Sequence, residues 1–573
     1  MAAVRLGRIG LKWCDACNVP LVELDSCGLC GGQTHPVEIT PPGDYRPAFP
    51  HDLARIRKTL DGYYGPGSGK AMLPDGHLAV LNKSPGVDIM DEAVTDGLVL
   101  GCHVFEPGKG WKFICRIEGA RRMSSVISRK WAIIDDGAIQ FIRKGSSSMA
   151  VGILEADPGI LVGDEVVVLS AKREVISTGR ARMSGTDMVK LDRGPAIKSR
   201  WYKEAPLNPE LSVGRTWQDA VKANSEKLGK KQENSIEHIR KTARRFSGLP
   251  VAVSVSGGKD SLATLLLVLE AGFRPKLIFT DTGLEFPETL ENVRRTAEKY
   301  GLELITEDAG DAFWRALEHF GPPAKDFRWC CKTCKLGPMA GLIRKHFPEG
   351  VLSFIGQRQY ESSQRYEKGN VWRNPWVPGQ VGASPIQNWP SLLVWLYLFQ
   401  QEAEYNPLYE KGLERIGCWL CPATDMGEFD DVEKYSEQNA RWQEALACHA
   451  AVKGLPPEWL RLGLWRWKNL PKGMVDFLAA ERIQVPVDKK CIPPEEKLNP
   501  AQEARLIKFS CISNDAHAVR MKALHCTGCG ICISLCESGA LAMVGQAVEI
   551  DPEKCIGCGK CLHPCVVIDF EPR

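Results

Sequence analysis

The sequence predicts a multidomain α/β protein, and three observations carry this prediction. The chain has 573 residues, which is enough for three or four domains. An apolar strand, a glycine turn and an apolar helix follow one another at 251–272, an order typical of a parallel α/β sheet. Most of the 22 cysteines stand in C-x2-C pairs, a spacing that indicates metal sites rather than disulfides.

Composition and charge indicate the cellular compartment of the protein more clearly than its binding partner. The formal net charge is only +3, so charge alone does not indicate a nucleic-acid partner. Cysteines in metal-type spacings are expected in a reducing interior. The N-terminus lacks the apolar core of a signal peptide, and the most apolar stretch, 391–399, is too short to span a bilayer. We therefore expect a soluble cytoplasmic protein without a membrane segment.

Residues 1–40 predict a zinc ribbon. Four cysteines are spaced C-x2-C-x9-C-x2-C, namely Cys14, Cys17, Cys27 and Cys30. Two such pairs present four thiolates to one ion and leave no open position, so the site is expected to be structural. A segment of this size is expected to fold only with its metal. Iron of the rubredoxin type is the alternative ligand.

Residues 41–125 contain one string that imitates a phosphate-binding loop. The segment Gly65 to Lys70 reads GPGSGK. In a P-loop the first glycine would fall on Tyr64, and Ala71 stands where serine or threonine is needed. We predict a turn at Gly65 to Lys70 and no nucleotide site.

Residues 126–205 predict a small β-barrel, because short β-branched runs alternate with glycine and aspartate. The order DDGA, KGSSSMAVGI, VGDEVVVL and STGRARM resembles a PUA domain. That resemblance implies an RNA partner, with tRNA as the expected class. Phosphate contacts would then come from Arg121, Arg122, Arg129, Lys130, Arg143 and Lys144. The alternative is an ordinary solvated basic face.

The central domain, 246–425, opens with a predicted anion cradle. The strand at 251–255 runs into Ser256, Gly257, Gly258, Lys259, Asp260 and Ser261, and a helix follows. A glycine turn at a helix N-terminus points backbone N–H groups at an anion. This loop resembles the PP-loop of ATP pyrophosphatases, a likeness that implies binding of ATP with Mg²⁺ and release of pyrophosphate.

Further motifs resemble the PAPS reductase family. They are FTDTGLEFPET at 279–289, GQRQYESSQR at 356–365, SPIQNW at 384–389 and NPLYEKGLERIGCWLCP at 406–422. The resemblance implies a parallel-sheet core of the adenine-nucleotide alpha-hydrolase type. It also implies that Asp281, Arg358 and Arg365 contact the nucleotide or the substrate, since guanidinium groups suit phosphate or sulfate.

Five cysteines of this domain predict one core metal site. They are Cys330, Cys331, Cys334, Cys418 and Cys421. In similar APS reductases an adjacent cysteine pair and a distant C-x2-C bind one 4Fe–4S cluster. The expected ligands here are Cys331, Cys334, Cys418 and Cys421, because two C-x2-C pairs avoid a strained adjacent pair; Cys330 stays open as a ligand. Zinc is the alternative metal.

Two segments flank the central domain. Residues 206–245 are charged and predict a helical connector. Residues 426–510 predict a helical cap followed by a linker at 489–500. The cap is rich in tryptophan, which we expect to pack rather than to stack on nucleic acid.

Residues 511–573 predict an α+β module with two clusters. Two runs read C-x2-C-x2-C-x3-C, the spacing of a two-cluster ferredoxin in which the fourth cysteine of each run serves the other cluster. One 4Fe–4S cluster would use Cys526, Cys529, Cys532 and Cys565, and the other Cys555, Cys558, Cys561 and Cys536. The module implies electron transfer, so an electron donor is an expected partner.

Two departures from the reductases bear on function. Assimilatory reductases carry a C-terminal ECG-[LI]-H cysteine, whereas the nearest string here begins at Cys536 inside the ferredoxin module. They also usually lose the intact SGG-x-DS loop, which this chain keeps. Both departures favour cleavage of ATP over reduction of an activated sulfonucleotide.

The sequence therefore predicts an enzyme of sulfur metabolism that inserts sulfur into RNA after adenylation by ATP. Lys259 and Asp260 would act at the phosphates, and Cys331 and Cys334 at the sulfur. The alternative is an oxidoreductase that reduces PAPS or APS with electrons from its own ferredoxin module. A third hypothesis is an RNA-binding redox sensor without turnover.

Overall fold

The protein is described here by a computed structural model, which covers residues 8–203, 213–432, 438–484 and 498–570. These residues fall into two compact units. The first contains residues 1–231, 389–403 and 410–412, and the second contains 232–388, 404–409 and 413–573. Most of the predicted linker at 489–500 lies outside the described residues, so it stays a prediction.

The strands are β1 (Leu11–Cys14), β2 (Val19–Val22), β3 (His35–Val37), β4 (Arg46–Pro47), β5 (Ala79–Lys83), β6 (Met90–Thr95), β7 (Leu98–Glu106), β8 (Gly110–Cys115), β9 (Trp131–Ile134), β10 (Ser148–Met149), β11 (Ile153–Ala156), β12 (Glu165–Ser170), β13 (Val175–Ala181), β14 (Pro195–Trp201), β15 (Val251–Ser254), β16 (Lys276–Asp281), β17 (Leu304–Asp308), β18 (Val351–Ile355), β19 (Val371–Arg373), β20 (Gln380–Ala383), β21 (Leu541–Val544) and β22 (Ala547–Ile550).

The α-helices are α1 (Pro50–Tyr64), α2 (Ser68–Met72), α3 (Ile117–Met123), α4 (Asp136–Ile142), α5 (Gly185–Lys190), α6 (Trp217–Ala223), α7 (Ser225–Arg245), α8 (Lys259–Glu270), α9 (Pro287–Tyr300), α10 (Ala312–Phe320), α11 (Trp329–Cys331), α12 (Gly337–His346), α13 (Ser363–Lys368), α14 (Ser391–Gln400), α15 (Met426–Val432), α16 (Gln438–Lys453), α17 (Pro457–Arg461), α18 (Lys472–Ala480), α19 (Pro500–Phe509), α20 (Ala516–Leu524), α21 (Ile531–Leu535) and α22 (Val566–Asp569).

The first unit begins with a small antiparallel sheet of order β2-β1-β3. Its β1 ends at Cys14, and the turn into β2 carries Cys17. The Trp13 indole is fully buried, and its Nε1 donates to Asn18 Oδ1 at 2.8 Å. This sheet holds the first C-x2-C pair in place.

Residues 41–125 form a five-stranded antiparallel sheet of order β4-β5-β6-β7-β8, with α1 packed on it. Its buried core includes Leu60 and Phe113 and also Val167 and Leu169 of β12. The region before the predicted PUA domain therefore shares a hydrophobic core with that domain. The predicted turn at Gly65 to Lys70 is shorter than expected, because α2 already begins at Ser68.

Residues 130–202 form a mixed sheet of order β10-β14-β13-β12-β9-β11, in which only β9 and β12 run parallel. One predicted β run is helical instead. The run WAIIDDGAIQFI at 131–142 is rich in β-branched residues and predicts strand, but Asp135 accepts a hydrogen bond from the Ala138 N–H at 3.1 Å and caps α4. A capping aspartate ends the strand and starts the helix.

The second unit is built on a sheet of order β17-β16-β15-β18-β20-β19, parallel except for β19. The chain passes from β15 to β16 and β17 on one side and then to β18 and β20 on the other. The direction of winding therefore reverses between β15 and β18. In open α/β sheets ligands bind in the crevice at such a switch point, outside the carboxyl ends of the strands.

The most apolar stretch of the sequence forms α14, which has ten residues. At a rise of about 1.5 Å per residue it is about 15 Å long. Eight of its residues are buried. Near its C-terminal end, Phe399 O accepts a hydrogen bond from Gln218 Nε2 at 2.8 Å. Among the described residues, no helix is both long and apolar enough to cross a membrane.

The second unit also contains the helices α15 to α18 and the cysteine-rich module after residue 498. All four tryptophans of the predicted cap are buried: Trp442, Trp459, Trp465 and Trp467. The cysteine-rich module packs α19, α20 and a β21–β22 hairpin around its own core.

Candidate functional site

The glycine loop after β15 forms a cradle at the N-terminus of α8. Gly257 has φ +68°, and a Cβ there would lie 2.7 Å from Thr289 Cγ2. The Ser256 N–H donates to Ser261 Oγ at 3.2 Å, and that hydroxyl donates to Gly258 O at 2.9 Å. A tight loop at the start of a twelve-residue helix is suited to an anion.

A buried carboxylate holds two cations at this loop. Asp260 forms ion pairs of 2.8 Å with Lys259 Nζ and with Arg358 Nε. The Arg358 pair is a charge contact that is poorly aligned for a hydrogen bond. Burial raises the pKa of Asp260, but the Lys259 and Arg358 charges outweigh burial and hold that pKa below its ordinary value. Asp260 is therefore ionised and fixes both cations.

Two more guanidinium groups add positive charge. Arg365 pairs with Glu361. Burial, and next the charge of Arg415, lower the pKa of Arg365 to about 10. Like charges gathered at one site repel one another unless an anion lies among them, so this cluster is suited to phosphate or sulfate.

The sequence analysis missed two of the residues that complete this arrangement. Tyr409 Oη accepts a hydrogen bond from the Lys259 N–H at 2.9 Å and supports the first turn of α8. Arg415 joins the cation cluster. Both lie inside the segment NPLYEKGLERIGC, which contributed to the resemblance without being assigned roles.

Carboxylates end β16 and β17, the two strands on one side of β15. Asp281 closes β16, and Asp308 stands directly opposite it at the end of β17. Asp281 Oδ1 accepts from the Gly283 N–H at 2.9 Å, and Asp308 Oδ1 accepts from the Gly310 N–H at 2.7 Å. Carboxylate oxygens at this edge of the sheet are the ligand type that Mg²⁺ prefers.

The second C-x2-C pair of the core is anchored on the turn after β16. Cys418 Sγ lies 3.4 Å from Thr282 Oγ1 and 4.0 Å from a carboxylate oxygen of Glu285. The Trp419 N–H donates to Leu284 O at 3.0 Å. The thiols of this pair therefore stand at the same edge of the sheet as the anion cradle.

The other three core cysteines, Cys330, Cys331 and Cys334, influence one another's ionisation. A hydrogen bond from Cys330 lowers the pKa of Cys331 to about 5, helped by Arg328. The hydrogen bond with Cys331 and burial raise the pKa of Cys330, and the charges of Cys331, Cys421 and Cys334 add smaller effects in the same direction. Burial, followed by the charge of the Cys331 thiolate, raises the pKa of Cys334 to about 12. The charges of the distant pair thus act on Cys330, and Cys331 acts on Cys418, which favours Cys330 as a further ligand; the set expected from sequence stays a prediction.

Thiol spacing separates the N-terminal site from the others. A zinc–sulfur bond of about 2.3 Å places two thiolates of a tetrahedral site about 3.8 Å apart. Cys14 Sγ and Cys30 Sγ are 3.6 Å apart, and both belong to a compact group with Cys17 and Cys27. Across the part of the chain that the structure describes, no other thiols form so compact a group.

The eight cysteines of the C-terminal module line two cavities. One cavity is lined by Cys526, Cys529, Cys532 and Cys565. The other is lined by Cys536, Cys555, Cys558 and Cys561. The fourth cysteine of each run thus lies with the other run, the exchange that the spacing predicts. The two groups are called the inner and the outer thiol set below.

One buried lysine serves the inner set. Lys522 is 2% exposed, and its Nζ donates to Cys561 O at 2.9 Å and lies 4.0 Å from Cys565 Sγ. Burial lowers the pKa of Lys522, but the thiolate charges outweigh burial and raise that pKa above its ordinary value. This cation offsets the negative charge of a thiolate-bound cluster, a role that the sequence did not indicate.

The inner thiol set packs against the segment that carries the core cysteines. Gly337, three residues after Cys334, approaches so closely that a Cβ would lie 2.4 Å from Cys529 O. Arg344 donates to Ser534 Oγ at 3.2 Å across the same contact. At the outer set, by contrast, Cys558 is exposed. The inner set is therefore the thiol set that these contacts join to the segment carrying the core cysteines.

Comparison with family models identifies three domains in the chain. A phosphoadenosine phosphosulfate reductase domain matches residues 250–424. A PUA domain matches residues 130–202, and a 4Fe-4S dicluster domain matches residues 518–566. These matches confirm the three resemblances and the multidomain α/β class that the sequence predicted.

Among the similar proteins, one is named for a sulfonucleotide substrate and another for a tRNA substrate. An uncharacterized protein of Methanocaldococcus jannaschii is 37% identical over 477 residues, which cover 81% of this chain and 97% of that protein. An adenosine 5'-phosphosulfate reductase of Geobacillus kaustophilus is 27% identical and covers 32% of this chain and 78% of its own length. A tRNA-guanine(15) transglycosylase of Pyrococcus abyssi is 42% identical over 86 residues, 15% of each chain.

A glycine outside the loop itself sets the geometry of the cradle. A Cβ on Gly356, at the end of β18, would lie 2.4 Å from the backbone carbonyl of Asp260. Because backbone cannot move aside, Gly356→Ala should separate β18 from α8 and lower the free energy of unfolding by about 2 kcal/mol. It should also abolish nucleotide binding, measured by equilibrium dialysis. Gly341→Ala is the control, since no atom lies within 4 Å of its Cβ; equal loss in both variants would contradict the proposed contact.

Substitution of single cysteines distinguishes the two possible core sets. We predict that Cys330→Ser removes the core metal, whereas Cys334→Ser retains it. Iron analysis of anaerobically purified protein should then fall from about twelve to about eight per chain only in the first variant. Loss of four irons in Cys334→Ser alone would restore the ligand set expected from sequence. If neither variant loses iron and the unsubstituted protein holds about one zinc more than its N-terminal site needs, the core site binds zinc.

Proposed function

This chain belongs to the family of the uncharacterized Methanocaldococcus jannaschii protein, and its reductase-type, PUA and dicluster domains lead us to propose that it transfers sulfur to RNA in an ATP-dependent reaction. The observation that carries the proposal is the meeting of two kinds of site at one sheet edge. The anion cradle at Ser256 to Ser261 follows β15, and Cys418 rests on the turn after the neighbouring β16. Phosphate chemistry and thiol chemistry therefore share one crevice.

Adenylation is the step that the cradle supports. A carbonyl oxygen of the target base attacks the α-phosphorus of ATP, the bond to the bridging oxygen breaks, and pyrophosphate leaves. Backbone N–H groups of the 256–261 loop and the Lys259 ammonium hold the leaving pyrophosphate. Arg358 and Arg365 hold the remaining phosphate. Their ion pairs with Asp260 and Glu361 keep the two guanidinium groups in position. Asp281 would ligate Mg²⁺, for which a carboxylate is a preferred ligand.

Sulfur transfer completes the reaction at the same carbon. Sulfur at the oxidation level of sulfide attacks the activated carbon, the carbon–oxygen bond breaks, and AMP leaves. The core thiols next to Thr282 are where we place this sulfur. If it arrives as a persulfide, two electrons are needed to release it as sulfide. Two 4Fe–4S clusters in the C-terminal module would supply one electron each.

Electrons have a short route to the core. An external donor would reduce the cluster of the outer set, where Cys558 is exposed. The inner set, compensated by Lys522, adjoins the core segment at Gly337. This order assigns the outer cluster to electron entry and the inner cluster to delivery. The N-terminal thiols are assigned a structural zinc ion, with no part in the reaction.

The PUA domain is assigned to binding of RNA, with tRNA as the proposed class. The similar tRNA-guanine(15) transglycosylase is named for a tRNA substrate, which supports this assignment. Not all the predicted basic residues are equally available. Arg122 pairs with Asp96 at 2.7 Å and Lys130 with Asp164 at 2.6 Å. Arg129, Arg143 and Lys144 are exposed and are the better phosphate contacts.

A sulfonucleotide reductase is the second candidate, because the similar adenosine 5'-phosphosulfate reductases carry that name at 25% to 28% identity. That reaction also consumes two electrons and would use the same electron route. It does not cleave ATP. Release of pyrophosphate is therefore the property that separates the two candidates.

The decisive assay offers both substrates to the intact protein under anaerobic conditions. With ATP and total tRNA we expect AMP and pyrophosphate, and with adenosine 5'-phosphosulfate we expect no sulfite. Lys259→Ala should slow pyrophosphate release at least about 100-fold, since the leaving group loses its charge partner. Lys276→Ala is the control, because this lysine starts β16 at the opposite edge of the sheet. Sulfite without pyrophosphate would establish the reductase instead.

The basic surface of the PUA domain gives a separate prediction. Deletion of the whole domain would expose the core that it shares with residues 41–125, so point substitutions are the cleaner probe. The double substitution Arg143→Ala with Lys144→Ala should weaken tRNA binding and reduce the slope of log K against log salt by about 1.5. Gel shifts at several salt concentrations measure both effects. The control is Arg294→Ala with Arg295→Ala, two exposed arginines of α9, which should change neither the tRNA affinity nor the salt slope. Absence of tRNA binding by the unsubstituted protein at low salt would contradict the RNA assignment.

A further inference from the structure

A cavity of about 340 Å³ in the second unit has no role in the reaction described so far. It lies between α7 and the segments that follow β18 and β20. Its volume falls in the range of small-molecule sites, about 300 to 1,000 Å³. Its characteristic lining residues are Asn234, His238, Gln359, Tyr366, Asn370 and Gln387. We call it the amide pocket.

The amide pocket is polar without being charged. Four of those six residues carry a side-chain amide, and the eleven lining residues include no Asp, Glu, Lys or Arg. Burial, followed by the charge of Lys241, lowers the pKa of His238, so its imidazole is neutral at neutral pH. Amides and a neutral imidazole offer donors and acceptors side by side. Such a lining disfavours phosphate and suits a neutral ligand with several hydrogen-bonding groups.

Two side chains of the pocket are placed for a planar ligand. The Tyr366 side chain is 48% exposed at the cavity, so part of its ring is open to stacking. His238 Nε2 is buried, and no described residue hydrogen-bonds to it. A buried polar atom without a partner is costly unless a ligand or water completes it. Asn234 lies four residues before His238 on α7, so both side chains project from one helix face.

The walls of the pocket are fixed by hydrogen bonds. Ser235 Oγ donates to Pro385 O at 2.7 Å and attaches α7 to the segment after β20. The Gln359 N–H donates to Gln387 O at 2.8 Å, joining the two other walls. Ser384 Oγ donates to Gln357 O at 2.6 Å beneath them. The pocket is therefore preformed.

The pocket adjoins the cation cluster through the chain itself. Gln359 follows Arg358 directly, and Gln387 Nε2 donates to the backbone carbonyl of Arg365 at 2.7 Å. A ligand in the pocket would thus lie beside the groups that hold phosphate. A neutral heterocycle next to a phosphate site has the chemistry of a nucleotide.

We propose that the amide pocket binds a heterocyclic base extruded from the RNA substrate, with the ring against Tyr366 and its polar edge against the amides and His238. The inference rests on the proposed function, which supplies the RNA. Enzymes that modify a base in a duplex must take it out of the stack, and they read its edge by hydrogen bonds in a pocket. The same base chemistry has a second source, the adenine of ATP, which the experiment distinguishes.

Photo-crosslinking locates the base in the full-length protein. The probes are tRNA transcripts carrying 4-thiouridine or 6-thioguanosine and, separately, 8-azido-ATP, with crosslinked peptides identified by mass spectrometry. We expect thio-tRNA to label peptides containing Tyr366 or His238 and excess ATP not to suppress the labelling. Labelling of these peptides by 8-azido-ATP would assign the pocket to adenine and overturn the proposal. Absence of any label there would show a water-filled cleft only and also overturn it.

Binding by variants provides a test that does not depend on crosslinking. His238→Ala and Gln359→Ala should each weaken tRNA binding about five-fold at moderate salt, the loss of about one hydrogen bond. Their salt slope should be unchanged, because no phosphate contact is removed. Glu237→Ala, an exposed neighbour on α7, is the matched control. Unaltered tRNA affinity in both pocket variants contradicts base binding, while RNA-dependent pyrophosphate release, measured separately, reports on the proposed function alone.

Discussion

The buried carboxylate of Asp260 is the interaction on which the site depends. It is the second residue of α8, and it pairs with Lys259 of the same turn and with Arg358 from the segment after β18. These two segments lie on either side of the point where the winding of the sheet reverses. The ionised carboxylate thus joins the two walls of the crevice and keeps Lys259 and Arg358 at that crevice. Gly356 permits this contact, since any side chain there would meet the backbone of Asp260.

Charge balance explains the neighbourhood of that carboxylate. Arg365 and Arg415 bring further positive charge, and burial with mutual repulsion already lowers the pKa of Arg365 to about 10. A cluster of like charges is favourable where an anionic ligand compensates them. The same logic appears with opposite sign in the C-terminal module, where Lys522 is buried among thiolates. Both sites are prepared for a charged group that the polypeptide alone does not supply.

The motifs with fixed spacing were predictable from sequence. The glycine loop, the N-terminal C-x2-C pairs and the crossed ferredoxin runs depend on local geometry, so residue order determines them. Interactions between distant segments were not predictable. Tyr409 supports Lys259 across 150 residues, and the charge of Cys421 acts on the pKa of Cys330, a link between distant segments that residue order does not reveal. Asp135 likewise overrides β-propensity by capping α4.

The proposed reaction requires that phosphate chemistry and sulfur chemistry occur in one crevice and on one substrate. The most direct measurement counts two products of the same anaerobic incubation: AMP from ATP and thiolated nucleoside from digested tRNA. Coupled chemistry predicts equal amounts of the two, with neither formed when the other's substrate is left out. AMP without thiolated nucleoside, or sulfite from adenosine 5'-phosphosulfate with no AMP formed from ATP, would contradict the proposal.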